Sequence, residues 1–373
     1  MLRYLTAGES HGKSLVAVLE GMPAGFKISK ALIDEELAKR QSGYGRGERM
    51  KIESDTAEIL SGLRNGETIG SPIAILIKNR DARIDELPKI HCPRPGHADL
   101  AGAMKYGRRD MRDILERSSA RETAARTAAG AVCGQLLSAF GIETLSHVVL
   151  LGGIEAHTSA LSFEEIKKKA SLSSLRCADK AAEKLMRGEI DSASGEGDTL
   201  GGAFEVIIKG QPAGLGSHAQ WDRKLDALLA MGVMSIQAVK GVEIGVGFAM
   251  GKRKGSKAHD PISYKDGRFF RKGNNAGGIE GGMTNGEPVV LRAVMKPIST
   301  LRTPLESVDI ITKKPVKAAI ERSDVSAVAA CAVVGENVCA YTMAEAFLEK
   351  FGGDSVSEIK KNYQNYLKTL EKF

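Results

Sequence analysis

The chain has 373 residues, a net charge of +7 and a pI near 9.0, and only 5% of its residues are aromatic. That length can bury a large core, and the basic excess asks for an anionic partner: nucleic acid, a membrane surface or a phosphorylated metabolite. No apolar run approaches the roughly 20 residues of a membrane span, MLRYLTAGES lacks the apolar core of a secretion signal, and five cysteines without a C-x-x-C pair fit a reducing cytoplasm.

The chain opens with a predicted strand, LRYLTAG, followed by GESHGKS. This falls short of a phosphate-binding P-loop, because three residues separate Gly8 from Gly12 where four are required and Ala7 stands in place of the first glycine. His11 is left on a flexible turn with Ser10 and Lys13 beside it, either a hydrogen-bonded loop residue or one that meets a ligand. After SLVAVLEG and a Pro-Ala-Gly turn, Ser29 starts an amphipathic helix to about Arg40, with Leu32, Ile33 and Leu37 expected to face inward. The Gly-rich stretch that follows carries Arg40, Arg46, Arg49 and Lys51 on a pliable loop. Guanidinium forks suit phosphate and carboxylate, so the loop reads as a substrate lid.

A strand from Pro72 leads into a long charged connection centred on Arg94-Pro95-Gly96-His97-Ala98-Asp99. Asp99 is placed to orient or charge the His97 imidazole, the makings of a proton-transfer site. Arg108, Arg109 and Arg112 then run into ERSSARETAARTAAGAV, read as a buried helix with an exposed Glu-Arg-Ser start. Ser119 and Glu122 have capping-box spacing, and Arg117 and Arg121 beside the helix start make an anion pocket.

Residues 145–190 read as peripheral, with a strand LSHVVLLGGIE, a capping box at Ser162 and Glu165, and a solvated helix over 175–187. His147, His157, His218 and His259 are assigned structural roles. A helix over 217–231 carries the single tryptophan, and a basic loop, GKRKGSKAHD, has no aromatic residue to stack on bases. The Gly-rich GNNAGGIEGGMTNG lets backbone approach a flat ligand, but it is not the dinucleotide-binding G-x-G-x-x-G pattern. KPIST follows from Lys296, and ERSDVSAVAACAVV from Glu321 repeats the earlier helix.

Three echoes occur in the same order. VLEGMPAG (18–25) matches IIKGQPAG (207–214); Ile59-x-x-Gly62-x-x-Asn65-Gly66-Glu67 matches Ile279-x-x-Gly282-x-x-Asn285-Gly286-Glu287, each followed by a Pro-initiated apolar strand (PIAILIK from Pro72, PVVLRAVMK from Pro288); and the two ERS segments match each other. They predict one compact domain over 1–373 built of two similar halves, about 1–190 and 191–350. The halves would be joined near 188–195, related by a pseudo-twofold axis and followed by a helix over 355–371.

GESHGKS, Arg40-x-x-Gly43-x-Gly45-Arg46, RPGHAD, ERSSARET, NNAGGIEGG, KPIST and ERSD together resemble, in order and spacing, the chorismate synthase family over nearly the whole chain. The resemblance implies an α+β fold with helices sandwiched between sheets, a homotetramer, and a cytoplasmic lyase of the shikimate pathway. It would convert 5-enolpyruvylshikimate 3-phosphate to chorismate and phosphate by an anti-1,4-elimination that needs reduced FMN. On this resemblance His11 protonates the departing phosphate, His97 protonates or charge-balances the flavin, and Asp324 assists proton removal through the flavin N5 position. Substrate binding falls to His11, Arg40, Arg46, Arg49, Arg94, Arg121 and Arg322. The cofactor falls to Arg117, Ser118, Ser119, Gln237, Ala238, Asn275, Gly281, Lys296, Pro297, Ile298, Ser299, Thr300 and Arg322. An NADPH contact at Arg40 and Arg46 also comes with the family, and no metal is expected. Departures are Ser323 where many relatives have His, Met283-Thr284 for Ile-Ser, and Gln237 for Asn.

Two rival classes make different demands. A nucleic-acid binder would interleave its cations with aromatics, whereas these arginines sit in loops with His and Gly. A flavin-dependent oxidoreductase would consume NAD(P)H in step with product.

Overall fold

The computed structural model describes residues 1–47, 54–321 and 324–373. Two antiparallel sheets and a set of Ala-rich helices form the molecule. In the first sheet β1 (Arg3–Ala7), β2 (Ser14–Glu20), β3 (Ala57–Ile59) and β4 (Ile73–Lys78) lie in the order β1-β2-β4-β3. Alternation fixes which face is inside: Leu15, Ala17 and Leu19 of β2 and Ile73, Ile75 and Ile77 of β4 are buried. The register sets Val16 opposite Leu76.

The second sheet contains β5 (Glu143–Leu151), β6 (Ile154–Glu155), β7 (Gly202–Lys209), β8 (Val239–Ile244) and β9 (Val289–Met295), in the order β8-β9-β7-β5-β6. Its strands are apolar on both faces: Phe204, Val206 and Ile208 join the main core, while Leu145 and Ile207 pack with Ile166 and Ala178 on the other side. β2 lies beside β4, and β7 beside β9, so both strand pairs that echo in sequence are adjacent ladders.

The helices are α1 (Lys30–Gln41), α2 (Asp99–Tyr106), α3 (Arg112–Ser118), α4 (Thr123–Ser138), α5 (Phe163–Leu172), α6 (Lys180–Glu196), α7 (Leu225–Met234), α8 (Val328–Phe351) and α9 (Val356–Glu371). α4 packs on α8, on α1 and on β2 and β4, while α8 packs on β5 and β7. Small residues permit the close crossing: a Cβ on Gly130 would stand 2.3 Å from the carbonyl oxygen of Asn337. Cys133 and Cys331 are buried on these helices as expected, and burial pushes the Cys331 thiol up to about 12. No helix among the described residues is long and apolar enough to cross a membrane.

Several sequence expectations shift. The Glu-Arg-Ser segment closes α3, and a single 3-10 turn, Ala120–Glu122, precedes α4. The Ser119–Glu122 capping box does not form. Ser119 Oγ accepts from the Arg121 amide at 3.2 Å, and the Glu122 carboxylate takes the Thr6 hydroxyl at 2.6 Å and Arg126 Nε at 3.0 Å, stronger partners than the backbone N–H it was expected to reach. Glu116 is buried at 3% exposure, not exposed. In the echo, α8 begins at Val328, well after Glu321.

Leu32 is 47% exposed because the buried stripe of α1 runs Ile33, Leu37, Arg40, at i, i+4 and i+7, and Leu32 lies one residue off it. The helix expected over 175–187 is α6, capped by Asp179, and the stretch 188–195 runs inside it. Trp221 sits on a 3-10 turn ahead of α7 and is 79% exposed. The Ser162–Glu165 box forms as predicted, and α9, predicted over 355–371, is capped by Ser355. The echoing Asn-Gly pairs differ in place. Asn65 and Gly66, with φ of 53° and 80°, form the turn of a hairpin, whereas the second hairpin turns at Gly281 and Gly282.

Candidate active site

One cavity of about 720 Å³ opens where the loop before β2, the 94–98 turn, the α3–α4 junction, the 236–240 and 295–300 segments and the start of α8 converge. His11, Arg40, Arg46, Arg94, His97, Ser118, Ser119, Arg121, Gln237, Ala238, Lys296, Ile298, Ser299, Thr300 and Asp324 all line it. Residues as far apart in the chain as His11 and Asp324 thus line one cavity. Arg49, Ser323 and Arg322 lie outside the described residues. Arg117, Pro297, Asn275 and Gly281 do not line the cavity. Arg117 donates to the carbonyl oxygens of Gly8 and Thr6, bracing the end of β1, and Asn275 Oδ1 accepts from Arg253 at 2.8 Å.

Each imidazole is seated on a carboxylate. His97 Nδ1 lies 2.5 Å from Asp99 Oδ1. Arg94 Nε and its main-chain N–H donate to Asp99 Oδ2 at 2.9 and 3.1 Å, and Arg94 Nη1 donates to Thr300 Oγ1 at 3.0 Å. Burial works to raise the Asp99 carboxyl, but the His97 and Arg94 hydrogen bonds and the Arg94 charge outweigh it and hold Asp99 well below the carboxylate range. This is the His97–Asp99 arrangement that the short turn predicted.

His11 has a partner that the sequence did not reveal. Its Nδ1 lies 2.8 Å from Glu116 Oε2, and its main-chain N–H donates to the same oxygen at 2.9 Å. Burial again works to raise Glu116, and the hydrogen bonds and charge of His11, with Arg112, bring it below its ordinary value.

Among the described residues that line the cavity, cations outnumber carboxylates. Arg40 and Arg121, both buried, share Asp55 Oδ2. Burial, with Arg121 and Arg46 nearby, lowers Arg40 to about 10, while Asp55 is held low by both guanidiniums despite its own burial. Lys296 adds a cation whose value is lowered by burial and by Lys240, and its ammonium donates to the Gly96 carbonyl. Asp324 closes the far wall. Its Oδ1 accepts from the Gly47 amide at 2.6 Å, and Oδ2 lies 3.3 Å from Arg46 Nε.

Segment 236–240 also lines the cavity. Ala238 is in the left-handed region at φ 68°, and its carbonyl accepts from the Lys296 amide at 2.9 Å, which locks segment 236–240 against 295–300. Gln237 Nε2 donates to Glu122 at 3.2 Å, and its Oε1 is buried without a hydrogen-bond partner. Among the described residues no group of three or more His, Cys, Asp and Glu could hold a metal ion.

Besides Glu116, sequence reasoning missed Asp55 and Lys240. Asp55 carries no local signal, since its partners Arg40 and Arg121 lie 15 and 66 residues away.

A protein-family model for chorismate synthase matches residues 2–348. A chorismate synthase from Geobacter metallireducens is 56% identical over 393 aligned residues, with all of both chains covered. One from Thermoanaerobacter pseudethanolicus is 53% identical over 376 residues, again with full coverage. A crystal structure of chorismate synthase superposes with a TM-score of 0.84 at 44% identity, covering 100% of this chain and 99% of the other. The chain belongs to the chorismate synthase family and is a lyase.

Proposed function

We propose that the protein converts 5-enolpyruvylshikimate 3-phosphate to chorismate and phosphate by an anti-1,4-elimination, with reduced FMN in the same cavity. The observation that carries this reading is the pair of carboxylate-seated imidazoles, His11 and His97, on one cavity whose wall is rich in cations. A substrate with one phosphate and two carboxylates needs such a wall, and Arg40, Arg46, Arg94 and Arg121 supply it, with Arg49 and Arg322 assigned by resemblance alone.

The residues also fit the flavin. The orphaned Gln237 Oε1 is an acceptor for a ring N–H, and Ser118, Ser119, Ala238 and the run Lys296 to Thr300 would hold the rest. Bound there, the reduced flavin would lend electron density to the breaking C–O bond. His11 gives a proton to the departing phosphate, His97 balances charge beside the ring, and Asp324 assists removal of the C6 proton. Withdrawal of these groups from bulk water strengthens each of their interactions.

The same reading carries a cytoplasmic homotetramer and a single domain of two related halves with helices layered between sheets. The adjacent ladders β2–β4 and β7–β9 support the halves, since each sets two echoing strands side by side, while β5 and β6, from the first half by number, join the second sheet.

The test is anaerobic mixing with reduced FMN and substrate while diene absorbance and released phosphate are followed. Product in large excess over reductant consumed supports the lyase. Consumption of reductant in step with product would favour a flavin-dependent oxidoreductase.

A further inference from the structure

We propose that Glu116 is the positioning residue of His11, holding the imidazole as the Nδ1–H tautomer and so presenting Nε2 to the cavity. The inference rests on the reading above only for what His11 then does to substrate. The seat itself is visible in the geometry. Glu116 Oε2 is 2.8 Å and Oε1 3.0 Å from Nδ1, and Oε2 also accepts the His11 main-chain N–H at 2.9 Å. An ionised carboxylate only accepts, so the ring nitrogen that faces it carries the hydrogen; Nε2 is then the lone-pair atom of the neutral ring and, in the imidazolium that acts as acid, the nitrogen whose proton is given up.

Glu116 is held from its own helix by Arg112, which is tied to two other segments. Arg112 donates to its Oε1 at 3.3 Å, to Glu321 Oε1 at 3.1 Å and to the Pro88 carbonyl at 2.6 Å. One guanidinium therefore links the glutamates that open both ERS segments. On the other side of the ring, Asp81 Oδ2 stands 3.8 Å from Nε2, beyond hydrogen-bond distance, and Asp81 is engaged by Arg83 Nε at 2.6 Å.

The loop does not depend on Glu116 alone. Asn79 Nδ2 donates to the carbonyls of Glu9 and Gly12 at 3.0 and 2.8 Å, and the His11 carbonyl accepts from the Ile84 amide at 3.0 Å. Removing the carboxylate should therefore free the ring while the loop stays in place.

The experiment labels the histidines with ¹⁵N and reads the tautomer of His11 in the free protein, without substrate or flavin, in mildly alkaline buffer. The His11→Ala variant assigns the signal. The wild-type ring should show a protonated Nδ1 and an unprotonated Nε2, and Glu116→Ala should shift it toward the Nε2–H form that predominates in free histidine. In steady-state assays Glu116→Ala should lower kcat by about 10- to 10³-fold with little change in KM, and Glu116→Asp should restore part of the loss. A wild-type His11 already in the Nε2–H form would overturn the proposal without need of any variant. So would Glu116→Ala with unaltered tautomer and kcat. A protein inactive on 5-enolpyruvylshikimate 3-phosphate would defeat the functional reading, while the wild-type spectrum would still decide the role of Glu116.

Discussion

Arg40 and Arg121 donate to one and the same atom, Oδ2 of Asp55, at 2.9 and 2.6 Å. Two buried guanidiniums thus share one carboxylate, and both residues line the cavity. Planar guanidiniums gathered on a cavity wall suit a phosphate or carboxylate bound against them.

Asp55→Asn should therefore destabilise the protein by about 3–5 kcal/mol, because it removes a buried carboxylate that two buried cations share. Inorganic phosphate should restore part of the loss by binding the folded state. Denaturant midpoints of wild type and variant, with and without phosphate, measure both effects. Equal insensitivity of the two proteins to phosphate would remove the anion site.

A second consequence concerns pH. Asp99 titrates far lower in the folded protein than the ordinary value of about 3.9. A carboxyl depressed on folding contributes stability that is fully present above the unfolded value and is lost as pH falls through the folded one. Asp99→Asn should accordingly be less stable than wild type near neutrality, with the difference shrinking in acid below the ordinary carboxylate range. Urea midpoints across that range check the sign; a gap that widens in acid would contradict it.

The packing of α4 on α8 offers a paired test. A Cβ on Gly130 would meet the Asn337 carbonyl oxygen at 2.3 Å, a backbone atom that cannot swing aside. Gly130→Ala should cost about 1–3 kcal/mol or more through overpacking. On the same helix a Cβ on Gly134 would meet Ala340 at an ordinary 3.9 Å, so Gly134→Ala should stabilise by up to about 1 kcal/mol through helix propensity. Thermal melts of the two variants should move in opposite directions.

What the sequence disclosed about this site depended on how far apart the partners lie in the chain. His97 and Asp99 are two residues apart on one turn, and their pairing was legible. Glu116 is 105 residues from His11, and no local pattern marks it. Arg117 looked like a cavity residue because its neighbours Ser118 and Ser119 are, yet the helical turn at the end of α3 sends its guanidinium to the β1 carbonyls. The Ala-rich helices were readable from composition alone. Their starting residues were not, because Glu122 found its partners in β1 and one turn ahead, at Thr6 and Arg126.

Asp324 provides the sharpest separation of charge from architecture. Val325 N–H donates to the Gly45 carbonyl at 2.9 Å, and Gly47 N–H donates to Asp324 Oδ1 at 2.6 Å, so this one acid both ties down the Arg46 loop and faces the cavity. Asn in its place keeps a carbonyl oxygen for the Gly47 amide but carries no charge and is a poor base. If the carboxylate takes part in proton removal, Asp324→Asn should lower kcat by about 10²–10⁴-fold while KM stays near wild type. Asp324→Ala loses the loop contact as well, so its KM should rise in addition to the fall in kcat. Steady-state kinetics on the three proteins distinguish the roles, and an Asn variant that turns over at the wild-type rate would reduce Asp324 to a loop anchor.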